Sequence, residues 1–523
     1  MTGWRNGTAE SRDGQAGRRG AALLALLPLA ACTVGPDYVP ATPAALGVPG
    51  RFASAAPAPS PAAAPPLAQG AAGEADADLA TWWQRFGDPV LADLVRRGQA
   101  NNLDVAVAGA RLAQARATLR QVQGTARPTL DASGSVARSV GADSRSIIDP
   151  TTGQTLTSGG DSTVYRAGLT AAWEADVFGG IRRSIQAARA DAEAQAANLH
   201  FAQLTVAADA GQYYVQARLA QKRLGIARAN LAAQEETVQI VGWRVQAGLV
   251  SALDLEQARQ LRAQTAASIP TLENGYVSAV NRIAVLLGEA PGAVSALLAS
   301  GGEIPLAPAV RDPIPAAIVQ RRPDIAAAER ALAAETARIG VAQAELYPAL
   351  RLTGTLAGSA TSLGDLASAA LGNLAGAISA PIFRGGQLRA AVEGQRAATA
   401  AAFGSYRSAV LTALEEVDNA LSGLSTAERR EAELTAAAEA ANNAVIYARA
   451  QYRAGLIDFQ SLLDSERTLL SSQDSAASAR GDRATATVAL YRALGGGWQA
   501  APLPATALTS TGAADADRAL TRP

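Results

Sequence analysis

The chain repeats itself, and that repeat constrains the fold more than any other feature. Leu103-Asp104-Val105-Ala106 lines up with Pro323-Asp324-Ile325-Ala326, and Arg127-Pro128-Thr129-Leu130 with Tyr347-Pro348-Ala349-Leu350, both at an offset of 220 residues. Further on, Ala247-Gly248-Leu249 matches Ala454-Gly455-Leu456, and Leu287-Gly288 matches Leu494-Gly495, both at an offset of 207. Four anchors at two constant offsets define two copies in register, with 13 extra residues in the middle of the first. The fold is therefore one unit of local structure built twice.

Each copy has the same order of parts. A helical stretch, about 89–123 and about 315–344, stops before a proline. Two short alternating segments follow, then a long helical run, a Gly-centred turn and a return helix. Residues 180–247 and 386–454 contain no proline. About 68 helical residues extend on the order of 100 Å, which suits an antiparallel coiled coil better than a globular domain. Leu224, Leu231, Val238 and Val245 repeat at heptad spacing in the first run. Gly248 and Gly455 suit the reversals, since glycine takes the left-handed conformation that ends a helix. Pro270 interrupts the first return helix only, which predicts a kink there.

The alternating segments are the strand candidates. Leu130, Ala132, Gly134 and Val136 alternate with Asp131, Ser133 and Ser135. Tyr165, Ala167, Leu169, Ala171 and Trp173 alternate with Arg166, Thr170 and Glu174, and Leu350, Leu352, Gly354 and Leu356 with Arg351, Thr353 and Thr355. A fourth candidate, about 374–382, alternates less clearly. The polar stretch 139–163 predicts an exposed loop holding the extra residues. Alternation over about ten residues is the pattern of a transmembrane β-strand, and soluble hairpins show it equally. If these strands span a membrane, four cannot close a barrel and open edges are not tolerated in hydrocarbon. Several chains must then share one barrel, and three chains would give twelve strands.

Composition narrows the chemistry. With 46 basic and 46 acidic residues the formal net charge is zero, and no basic tract marks a nucleic-acid partner. One cysteine, Cys32, and one histidine, His200, exclude a Cys/His nucleophile pair, a Cys/His zinc site and a disulfide framework. An enzyme would have to run on carboxylates, Ser, Tyr or Arg, and acids such as Glu174 and Asp176 fit a polar strand face as well as an active site. Aromatics are only 4% of an alanine-rich chain, which favours long helices packed closely.

The N-terminus reads as an address. Arg18 and Arg19 precede a short apolar run ending in Leu29-Ala30-Ala31-Cys32. This is a signal-peptide pattern, too short to span a bilayer. It resembles the bacterial lipobox, which implies lipidation at Cys32, and Thr33 in place of Asp implies delivery to the outer membrane. The chain thus divides into a signal peptide (1–31), a lipidated Ala/Pro-rich tether (32–80), a first repeat (81–300), a second repeat (301–498) and a C-terminal tail (499–523).

Several segments resemble the NodT-type lipoprotein branch of the TolC family of outer-membrane factors. They are Trp82-Trp83-Gln84-Arg85-Phe86-Gly87-Asp88-Pro89, Trp173-Glu174-Ala175-Asp176-Val177-Phe178-Gly179-Gly180, Arg321-Arg322-Pro323-Asp324-Ile325, Ile339-Gly340-Val341-Ala342-Gln343-Ala344 and Leu494-Gly495-Gly496-Gly497-Trp498. The resemblance implies a mainly α chain with a small membrane β part, internally duplicated. Its homotrimer would form a 12-stranded barrel in outer-membrane lipid, continued by a long periplasmic helical tunnel. It further implies an exit channel for drugs or other small toxic compounds, working with a periplasmic adaptor and an inner-membrane resistance-nodulation-division transporter, and no chemistry in the channel itself. A duct for type I polypeptide secretion or metal efflux has the same architecture. A coiled-coil lipoprotein scaffold without a pore is a further reading.

Residue by residue, the resemblance makes the turns at Gly248-Leu249 and Gly455-Leu456 the adaptor-docking surface. It makes Asp464 the constriction carboxylate and Arg467 a nearby gate arginine, although at i and i+3 the two also suit a solvated helix pair. Tyr452 matches a tyrosine that latches closed helices. Two positions depart from the pattern: Gln460 stands where a bulky aliphatic is common, and Ile457 where some members have an arginine. A softer closure and altered latch bonds follow.

Overall fold

The computed structural model describes residues 33–49, 52, 79–140, 145–158, 162–308 and 320–498. The signal peptide, Cys32 and the tail after Trp498 lie outside the described residues. Among those described, the duplication is plain in the element lengths. The long helices α3 (Gly180–Gln246) and α7 (Gln387–Arg453) each have 67 residues, and the return helices α4 (Ala252–Leu286) and α8 (Phe459–Ala493) each have 35. Helix runs unbroken through Pro270 in α4. No described helix is long and apolar enough to cross a membrane.

The chain forms two units. The first holds the strands: β1 (Thr129–Ser139), β2 (Arg145–Ile148), β3 (Thr155–Ser158), β4 (Ser162–Ala175), β5 (Ala349–Ala360) and β6 (Ala370–Ser379). One antiparallel sheet has the order β1-β4-β5-β6, so the hairpins of the two repeats join through β4 and β5. The fourth strand begins four residues earlier than its alternation suggests, because glycine and alanine blur the pattern at its start. The stretch 139–163 is not simply a loop: β2 pairs with β3 as a separate ribbon. Asp149 closes it, accepting from the Thr151 amide at 2.8 Å and from Arg166 of β4 at 3.1 Å.

The register sorts the sheet into two faces. The rows Leu130–Ala171–Gly354–Leu374 and Ala132–Leu169–Leu356–Gly372 share one face with Tyr165, Trp173 and Ile378. The row Asp131–Thr170–Thr355–Asn373 lies on the other, where Glu174 pairs with Arg351. The apolar face is uncovered: Leu374 is 84% exposed and Leu130 70%. Strands β1 and β6 are the sheet's two edges.

Below the sheet, part of the segment read as a tether is held in place. Arg183 of α3, 3% exposed, donates to the carbonyls of Val34 and Gly35 and to the Asp37 carboxylate. Gly35 has φ +97°, and a Cβ there would collide with Gly340 Cα. Gly340 belongs to α6 (Pro323–Ala344), which begins at a proline, as helices often do. Tyr38 donates to Glu329 at 3.0 Å.

The second unit contains the main core, where Trp82 stacks on Tyr491 with centroids 5.5 Å apart. The stretch 89–123 is two helices, α1 (Pro89–Asn101) and α2 (Leu103–Gly124), broken at Asn102. Its Oδ1 accepts from the amides of Asp104 and Val105, while its Nδ2 donates to the Leu286 carbonyl. The short helix α5 (Ser295–Ala299) follows α4. The buried seam of α3 is not the predicted aliphatic heptad. It runs Leu224, Ala227, Asn230, Gln234, Thr237, Val241, while Leu231, Val238 and Val245 are half-buried. Polar seam residues escape a hydrophobic periodicity search.

Candidate functional site at the helix reversals

The two reversals are built alike. Gly248 (φ +72°) and Gly455 (φ +73°) end α3 and α7 in the left-handed conformation. The Gly248 amide donates to Val245 and the Leu249 amide to Arg244; Gly455 and Leu456 repeat this with Tyr452 and Gln451. These paired bonds satisfy carbonyls that a helix end leaves open. The chain then re-enters helix through a side-chain cap. Ser251 and Asp254 form a reciprocal capping box at α4, and Asp458 accepts from the Ser461 amide at 2.9 Å at α8. Bonds from the Ser461 hydroxyl and amide hold the Asp458 carboxyl below its ordinary range. Leu249 and Leu456 are left 72% and 76% exposed.

An apolar cluster lies directly behind the turns: Val241, Ala258, Leu261, Ala448, Tyr452, Phe459, Leu462 and Leu463, with Ile457 packed against it. Tyr452 is therefore a core residue, 4% exposed. Its hydroxyl is buried with no hydrogen-bond partner among the described residues. The partner of its ring is Arg244 of α3, 4.5 Å from the centroid. Arg244 supplies a cation here from another helix, while Ile457 is spent on packing.

The proposed gate residues form a separate, solvated set on α8. Gln460 Nε2 donates to Asp464 Oδ1 at 3.0 Å, and Arg467 Nη1 stands 3.5 Å from the same oxygen. The structure thus brings Gln460, Asp464 and Arg467 together and places Tyr452 elsewhere. It also exposes a group that sequence reasoning missed. Glu466, 2% exposed, accepts from Thr237 of α3 and from Arg449 of α7. The available signal was a charged residue at a seam position, two places from Asp464.

Elsewhere, the carboxylates considered for catalysis are engaged. Asp176 accepts from the amides of Ile181 and Arg182, and Glu174 pairs with Arg351 across the sheet. Among the described residues no group of three or more His, Cys, Asp or Glu side chains is placed to hold a metal ion.

Residues 94–289 and 314–496 match the family model described as outer membrane efflux protein. Nodulation protein T of Rhizobium leguminosarum bv. trifolii is 31% identical, over 90% of this chain and 95% of its own. The pyoverdine export outer membrane protein OpmQ of Pseudomonas aeruginosa is 32% identical, over 82% of this chain and 90% of its own. The solved structure of the outer-membrane channel OprN superposes with a TM-score of 0.76 at 36% identity, covering 89% of this chain and 100% of that one. With the family's pattern in both repeats, relatives matched over nearly their full length and the same fold in a solved channel, this chain belongs to the outer membrane efflux protein family.

Proposed function

We propose that three copies of this chain close a 12-stranded barrel in the outer membrane and form the exit channel of a tripartite efflux pump for drugs or other small toxic compounds. The observation that carries this reading is the four-stranded sheet with one uncovered apolar face, one polar face and two unpaired edges. In hydrocarbon each unpaired backbone group costs several kcal/mol, so β1 of one copy pairs with β6 of the next. The apolar face meets lipid and the polar face lines the bore. Tyr165 and Trp173 sit on the lipid face eight residues apart in β4, about 27 Å along the strand, which suits aromatic girdles at the two interfaces.

Transport draws its energy from an inner-membrane resistance-nodulation-division transporter, and the channel performs no chemistry. A periplasmic adaptor reads the paired turns through Leu249 and Leu456. On the threefold axis Asp464 becomes a ring of three carboxylates that attracts cations, with Arg467 and Gln460 bonded beside it. Cys32 carries the lipid anchor in the periplasmic leaflet.

The test is reconstitution of the full-length protein in planar bilayers, alongside complementation of an efflux-deficient strain. Discrete conductance steps and restored drug resistance are expected. A protein that inserts without conducting overturns the channel reading.

A further inference from the structure

The ribbon β2–β3 joins β1 to β4 at the end of the sheet away from the helices, yet its tip turns back onto the sheet. Pairing runs from Arg145↔Ser158 at its base to Ile148↔Thr155. Beyond that the chain turns through residues 149–154, where the Asp149 amide donates to the Gln154 carbonyl at 2.9 Å. Asp149 is therefore a tip residue, and it is 1% exposed. Its two oxygens divide the work: Oδ1 accepts from the Thr151 amide and shapes the turn, while Oδ2 accepts from Arg166 Nε at 3.1 Å. Arg166 stands four residues inside β4, which begins at Ser162, about 13 Å along the strand. Ser359, opposite Arg166 in β5, is 3% exposed and lies beside Asp149 as well.

The side of the sheet is fixed by parity. Arg166 and Ser359 fall on the same face as Thr170 and Thr355, the polar one. The ribbon tip is thus pinned over the face that lines the bore. Twelve strands about 4.8 Å apart and tilted by about 40° enclose a bore about 24 Å across between backbones. A ribbon laid on the inner face stands about 10 Å in from the wall. Three of them, one from each copy, take up most of that width at the outer rim. A buried carboxylate persists only when it is paired and hydrogen-bonded, so each ribbon stays down while Asp149 keeps Arg166.

We propose that the ribbon is a size filter at the outer mouth: the Asp149–Arg166 pair pins each copy's ribbon across the bore, and the three together pass small solutes and exclude bulky ones. The proposal rests on the channel reading and adds to it the upper size of solute that the outer mouth admits.

The experiment is thiol labelling on intact cells that express the full-length protein. Thr170→Cys places a reporter on the polar face, four residues further from the rim than Arg166. The parent chain, whose one cysteine is Cys32, gives the background. Two membrane-impermeant reagents are compared, a small cationic methanethiosulfonate and a maleimide carrying a poly(ethylene glycol) chain. The reporter is read with the ribbon intact, with Asp149→Asn, and with residues 140–161 replaced by Asn-Gly, a pair suited to a two-residue hairpin turn. A heat-modifiability gel confirms assembly of each variant. The small reagent is expected to label all three at equal rates, and the bulky one to react about tenfold faster in the two altered ribbons. Equal bulky labelling with the ribbon intact overturns the filter, and so does exclusion of the bulky reagent from all three. If only the Asn-Gly variant admits it, Asp149 is not the pin and the proposal fails as stated. If the small reagent labels none of the three, the polar face does not line a bore and the channel reading itself fails.

Discussion

Arg244 lies over the face of Tyr452, with its guanidinium carbon 4.5 Å from the ring centroid, and the same guanidinium donates to the Tyr452 carbonyl at 3.3 Å. The tyrosine is thus held by its ring and its backbone, not by its hydroxyl. Tyr452→Phe is predicted to leave conductance and heat stability unchanged. Arg244→Ala removes a cation–π contact of about 0.5–2 kcal/mol and three bonds to the Tyr452 and Arg453 carbonyls at the end of α7. It should lower the melting temperature and raise leakage of large antibiotics. Matched measurements on the two variants decide the point, and a leaky Tyr452→Phe channel restores the hydroxyl as a latch.

The two sheet faces predict opposite outcomes at adjacent residues. Leu374 stands on the uncovered apolar face and Asn373 on the polar one. Arginine facing the bilayer midplane costs about 2–4 kcal/mol, multiplied over three copies. Leu374→Arg should therefore abolish recovery of assembled protein from outer-membrane fractions, while Asn373→Arg assembles and shifts ion selectivity. Fractionation with a heat-modifiability gel checks the first, and reversal potentials check the second.

In the proposed constriction, Gln460 supplies a hydrogen-bond donor to Asp464 where a branched aliphatic would form an apolar layer. Gln460→Leu leaves Asp464 Oδ1 to Arg467 alone and adds that layer. Single-channel conductance is predicted to fall by about half, with drug export reduced in proportion. Unchanged conductance would show that this position does not narrow the path.

Acid should loosen the start of α8 late. Bonds from the Ser461 hydroxyl and amide hold the Asp458 carboxyl below the usual carboxylate range. A group whose pKa is lowered by folding stabilises the fold above its unfolded value, and that contribution is lost as pH falls through the folded value. The Ser461 amide should keep its hydrogen-exchange protection down to about pH 4 and lose it below. Asp458→Asn should show the same protection at every pH in this window.

Much of this was legible in the sequence, for physical reasons that also mark the limits. Long helices announce themselves through missing prolines and flanking glycines, and α3 and α7 end within a residue or two of 180–247 and 386–454. Period-two alternation marked β1, β4 and β5 because one face of each is uniformly apolar. It was weaker at β6, which it placed a few residues late, because Ala370, Gly372 and Gly376 carry little contrast. The ribbon β2–β3 was invisible because four-residue strands fall below the length at which alternation can be read. Asn102 broke a helix through its side-chain bonds, which no periodicity reports. Glu466, Thr237 and Arg449 were missed for a shared reason: each is an ordinary polar residue of a long helix until Glu466 is brought beside its two partners, 17 and 229 residues away.

The two open margins of the sheet, β1 and β6, bear on inheritance as well as on architecture. A polypeptide that cannot settle in lipid alone must recruit its sisters before it is finished, so each functional pore samples three independent translation products. An allele whose product still assembles but does not conduct, expressed beside a healthy one, would then enter most of the complexes, and a defect of that kind would behave as a dominant one.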